Sequence, residues 1–156
     1  MNPTSHPLKG WQKVMGVVCR LFVAAIFAYA AWPKLRDPGL FAEAVYRYHL
    51  LPDALVNLVA IYLPWLEAVS ALALIAIPRL RAGALAWCSA LLLIFIFAMA
   101  VNLIRGVDIT CGCFSVSGGE AMSWINIFRN IGLLALAGIA WRWDPATDPG
   151  AGAPRS

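Results

Sequence analysis

Charge is scarce in this chain. Its 156 residues hold 12 Lys and Arg and 8 Asp and Glu, 13% in all, against about 25% in an ordinary soluble domain. So few charges cannot cover a surface that faces water. There is no basic face, and no interleaving of basic with aromatic residues. The net charge of +4 therefore gives no grip on a nucleic-acid strand. Cysteine is limited to four residues, and no internal repeat is visible. What abounds is apolar: 62% of the chain is hydrophobic, with a mean hydropathy of +0.75. The lipid bilayer is the surrounding that this composition suits.

The apolar residues gather into long blocks. A helix that crosses the hydrocarbon core needs about 20 of them in a row. Four blocks qualify, at residues 14–32, 55–77, 82–104 and 124–141. Arg20 interrupts the first, Pro64 and Glu67 the second, and Arg129 and Asn130 the fourth. Tryptophans and tyrosines stand near the block ends (Trp11, Trp32, Tyr46, Tyr48, Trp124, Trp141, Trp143), as an interfacial belt requires. The expected fold is all-α: a polytopic four-helix transmembrane bundle over residues 14–143. A short interfacial helix is expected from Leu40 to Tyr48, ended by Pro52. Pro78 to Arg81 reads as a tight turn, and Gly106 to Ser123 as a polar loop. Residues 144–156, rich in Pro, Gly and Ala, read as a disordered tail.

Orientation follows from the basic residues. Lys9, Lys13, Arg79, Arg81, Arg142 and Arg155 fall on one side, and Lys34, Arg36, Arg47 and Arg105 on the other. The larger group marks the cytoplasm. Residues 1–13 and the tail are then inside, and the Gly106–Ser123 loop is outside. A competing reading exists for the first block. Lys9, Lys13 and Arg20, then Leu21 to Phe27, then Ala28-Tyr29-Ala30 resemble a cleavable signal peptide. The apolar stretch begins earlier, at Val14, and three more spans follow, so a signal anchor is the more natural reading.

Cys19 and Cys88 lie inside apolar blocks, where a cysteine is usually a small inert hydrophobe. Cys111-Gly112-Cys113 differs, because it lies in the polar outer loop, where disulfides persist. A disulfide closed over one glycine makes a small ring, strained and easily reduced. It would cross-link almost no chain, so it offers little loop-closure stabilisation. Thiol–disulfide exchange suits such a pair best. A bond that only shapes the loop and a soft-metal site for Cu(I) or Hg(II) are the alternatives. Two thiols alone leave a zinc site incomplete. A nearby cation would favour the thiolate, and Arg129 and Arg105 are the candidates. Headgroup anchoring is the plainer role for both.

Ionisable groups inside a span usually face the bundle interior and find a partner. For Glu67 the first expectation is a pair with Arg20, and the second a pair with Arg129. Such a pair either fixes helix packing or marks a proton or quinone site. Arg20, Phe27 and Lys34 recur at intervals of seven on roughly one helix face. Cations at the two ends of such a stripe are expected to be anchors.

In order and spacing, four pieces resemble the DoxX-like superfamily of small membrane proteins, and within it the methylamine-utilisation MauE family. They are Arg20-Leu21-Phe22 through Trp32-Pro33-Lys34-Leu35; Tyr48-His49-Leu50-Leu51-Pro52; Leu63-Pro64-Trp65-Leu66-Glu67; and Cys111-Gly112-Cys113-Phe114 followed by Arg129-Asn130. The resemblance spans roughly residues 18 to 142. It implies a redox-associated inner-membrane protein with thioredoxin-like partners on the periplasmic side. It implies a role in maturing the disulfide-rich small subunit of methylamine dehydrogenase. Other DoxX-like proteins are connected with quinone-linked sulfur oxidation, so a membrane quinone is the candidate cofactor. Cys111 and Cys113 are the residues that transfer best. A small-solute or soft-metal transporter and a non-catalytic assembly factor are the competing functions.

Overall fold

A backbone that enters lipid must satisfy its own hydrogen bonds, and a helix does this within one segment. The computed structural model describes residues 9–105 and 124–144. All regular structure among them is helical. The elements are α1 (Gly10–Arg36), α2 (Pro38–Arg47), α3 (Asp53–Ala76), a single 3₁₀ turn (Pro78–Leu80), α4 (Arg81–Ile104) and α5 (Trp124–Trp143). α1, α3, α4 and α5 are long and apolar enough to cross a membrane. At 1.5 Å per residue the shortest of them spans roughly 30 Å, the thickness of the hydrocarbon core.

Local sequence explains the breaks. Asp37 precedes a proline, and the residue before proline is steered out of the helical region. It adopts φ −137° and ψ 81° and ends α1. The same Asp37 then caps α2: its Oδ1 accepts from the Leu40 N–H at 3.0 Å, and Pro38 fills the first turn, where no N–H is needed. A second corner, at His49, takes a positive φ of 49°, and Pro52 opens α3. α2 is the short helix expected between the first two spans.

The long helices run alternately up and down. α1 packs against α3 and α5, and α4 against α5 and α3, so α1 and α4 lie across the diagonal. One end of the bundle holds the start of α1, the α3–α4 turn and the end of α5. The other end, called here the loop end, holds the end of α1, all of α2, the end of α4 and the start of α5. The core is built of small and aliphatic side chains, including Val23, Ala24, Phe27, Leu74, Leu85, Leu91 and Ala137. The outward faces are as apolar as the core, with Trp65, Phe97, Ile125 and Phe128 exposed. That arrangement fits lipid and not water.

Cys19 and Cys88 are free and buried in the core. Asp144, which the sequence reading assigned to the tail, is only 3% exposed and belongs to the bundle. Cys111 and Cys113, with the rest of the segment between α4 and α5, lie outside the described residues.

Candidate functional site

The charges inside the bundle pair differently from the sequence expectation. Glu67 joins neither Arg20 nor Arg129. Both of its carboxylate oxygens accept from the Lys34 Nζ, at 2.6 and 2.8 Å, and both side chains are 1% exposed. Arg20 instead donates to Asp144 Oδ2 at 2.7 Å. The reason is vertical stagger. Arg20 stands level with the end of α5 and near Arg81, the first residue of α4. Glu67 lies nine residues inside α3 from Ala76, roughly 14 Å deeper by the helix rise. Lys34 is roughly 21 Å from Arg20 along α1 by the same rule, and its flexible stem reaches back to Glu67.

Arg20, Phe27 and Lys34 therefore face inward together. All three are buried, and the two cations are ion-pair partners, not headgroup anchors. Gly16 makes the Arg20 contact possible. A Cβ there would collide with the backbone of Trp143 and Asp144, so a glycine lets the end of α5 press onto α1. Trp11 and Trp143 meet edge to face beside it, with centroids 5.5 Å apart.

Around Lys34 the surroundings are aromatic. The ammonium lies 5.2 Å from the Phe41 ring centroid and 5.3 Å from that of Phe95, distances at which a desolvated cation is attracted to a ring face. Deeper in, a pocket of about 20 Å³ touches Lys34, Glu67 and Asn130, a size that one water fills. On the other side of Lys34 lies a larger apolar cavity of about 340 Å³, between α2, α3 and α4.

Towards the loop end α4 and α5 bury three asparagines, Asn102, Asn126 and Asn130. Asn102 and Asn130 donate to carbonyls one turn back in their own helices. The Asn126 Nδ2 has no acceptor among the described residues. Arg129 and Arg105 are exposed on the outside of the same end. Sequence reasoning missed Lys34 and Asp144 as ion-pair partners. The seven-residue spacing from Arg20 was the available sign for Lys34. Nothing in the sequence marked Asp144 beyond its place directly after the aromatic Trp141-Arg142-Trp143 belt.

Four membrane-length helices, apolar outside and joined inside by buried ion pairs, define a multi-pass helical membrane protein. The chain belongs to the methylamine utilisation protein MauE family, whose profile matches residues 12–142. It is 40% identical over 119 residues to the methylamine utilization protein MauE of Paracoccus denitrificans, which covers 76% of this chain and 63% of that one. It is 46% identical over 121 residues to the protein of that name from Methylophilus methylotrophus, covering 77% and 62%. With the Methylorubrum extorquens protein of the same name the identity is 36% over 132 residues, covering 83% and 70%. The first two alignments thus span less than two thirds of those relatives. No solved structure matches the chain.

Proposed function

We propose that the chain is an inner-membrane thiol–disulfide redox protein that serves the maturation of periplasmic proteins in methylamine metabolism. The small subunit of methylamine dehydrogenase is the first candidate client. The observation that carries this reading is Cys111-Gly112-Cys113, in the segment that joins Arg105 to Trp124 at the loop end of the bundle. The excess of Lys and Arg at the opposite end supports a periplasmic loop with both termini inside.

In this reading a thiolate of the pair attacks a disulfide sulfur of a thioredoxin-like partner and forms a mixed disulfide. The second thiol then displaces the partner, which leaves as a dithiol, and Cys111–Cys113 becomes the disulfide. The reverse sequence runs through the same mixed disulfide. A membrane quinone is the lipid-soluble acceptor or donor for the pair. Arg129 and Arg105, at the loop end, are the candidates to favour the thiolate.

Labelling of intact cells with an impermeant thiol reagent, before and after mild reduction, tests the reading directly. Labelling of Cys111 and Cys113 only after reduction, together with a mixed disulfide captured by a single Cys113→Ser or Cys111→Ser variant, is the expected result. Thiols reachable only from the cytosol, or permanently locked, would overturn it. Full maturation of the client in the double serine variant would leave a non-catalytic assembly factor. Metal-dependent uptake through reduced thiols would leave a transporter.

A further inference from the structure

We propose that the apolar cavity between α2, α3 and α4 binds the ring of a membrane quinone, with Lys34 as hydrogen-bond donor to one of its carbonyls. The proposal rests on the redox reading above and gives that reading's lipid-soluble electron partner a location.

The cavity measures about 340 Å³, within the roughly 300–1,000 Å³ of small-molecule sites. Phe41, Val45, Tyr48, Leu63 and Phe95 line it. Phe97, another wall residue, is 68% exposed on the outer face of α4, so the cavity meets the lipid. A flat ring can stack on such walls, and an isoprenoid tail can stay in the bilayer.

Among the described residues that line the cavity, Lys34 is the one with a charged side chain. A lysine ammonium has three N–H donors. Two go to the oxygens of Glu67, and no described residue accepts the third. A buried donor gains from an acceptor. The chemistry of that acceptor follows from charge. The Lys34–Glu67 pair is neutral as a whole, and an anion would stand against the Glu67 carboxylate. A phosphate headgroup is therefore disfavoured and a neutral carbonyl favoured. A plain acyl chain would fill the space but leave the donor unused.

Position agrees with the redox role. Lys34, Phe41 and Tyr48 belong to the loop end, where the segment carrying Cys111 and Cys113 leaves and re-enters the bundle. Oxidation of the dithiol to a disulfide releases two electrons and two protons. Reduction of a quinone to a quinol takes up both.

The test uses the full-length protein in phosphatidylcholine nanodiscs with a short-tailed azidobenzoquinone photolabel, mapped by peptide mass spectrometry. Label is expected on peptides that contain Phe41, Tyr48 or Phe97, and excess unlabelled quinone should displace it. Ala98→Trp, which fills the cavity from the α4 wall, should abolish it. Val69→Trp, on an exposed face of α3 outside the cavity lining, should leave it. Replacing Lys34 and Glu67 together by Met removes the donor without stranding a charge, and should weaken labelling roughly tenfold or more. Label that is spread over the lipid-facing surface, or that survives Ala98→Trp, overturns the proposal. So does a diacyl lipid that native mass spectrometry finds retained against excess quinone. Mixed-disulfide trapping on the unaltered protein reports separately on the thiols. A trapped partner without displaceable label removes the quinone site and leaves exchange standing. Displaceable label without a trapped partner does the reverse.

Discussion

Two long-range ion pairs among the described residues use the same kind of bond in different surroundings. Arg20–Asp144 joins α1 to the residue just past α5, beside the tryptophans of one end. Lys34–Glu67 joins α1 to the interior of α3, between aromatic rings and against two cavities. An arginine near the end of the bundle keeps the option of reaching headgroups and water. A glutamate in mid-span has no such option, and a charge there is tolerated only with a partner. The end pair thus acts as a clamp between α1 and α5. The deep pair holds α1 to α3 and also presents a donor to the cavity.

Breaking the deep pair should have the largest effect. Glu67→Gln leaves the Lys34 ammonium buried and unpaired. It should lower bundle stability by about 3–5 kcal/mol, read as a fall in unfolding midpoint in mixed micelles. Replacing Lys34 and Glu67 together by Met should recover most of that loss. A double variant as unstable as the single would mean that the pair, and not the stranded charge, matters. Next comes the contact beneath the clamp. Gly16→Val puts a side chain where the Trp143 and Asp144 backbone lies. Overpacking of this kind should destabilise by about 1–3 kcal/mol, and a crosslink between the ends of α1 and α5 should form less readily. Breaking the clamp by Asp144→Asn keeps the shape and removes the charge. About 1.5–3 kcal/mol is expected, at the lower end because Arg20 can turn to the membrane surface. A loss equal to that of Glu67→Gln would erase the distinction between the pairs. The smallest effect belongs to Arg47–Glu43, an i,i+4 pair on α2 whose side chains are about half exposed. Glu43→Gln should change stability by only about 0.3–0.5 kcal/mol.

Much of the architecture was legible because it is written one residue after another. Long apolar runs between Trp and Tyr girdles mark the spans. Pro52 was read as the stop after the short helix, whereas its start at Asp37-Pro38 went unread and the helix begins two residues before the expected Leu40. The site was less legible. The sequence showed that Glu67 needs a cation, and Arg20 and Arg129 were the partners read for it, while Lys34 was read as an anchor. Counting residues from assumed span ends favoured Arg20. The count failed because α1 begins at Gly10 and its first turns lie beyond the level of the α3–α4 turn, which brings Arg20 to the bundle end. The cavity was not legible at all, since its walls come from α2, the α2–α3 connection, α3, α4 and one lysine of α1.

The sequence by itself determined the medium and the elements: a chain for lipid, four long helices, and one short helix lying between two prolines. It also fixed that some carboxylate and some cation would meet inside, since neither tolerates lipid alone. Which ones meet was decided only when the helices took their depth and neighbours. A shift of two helical turns along α1 moves a cation by roughly 11 Å, more than an ion pair can span.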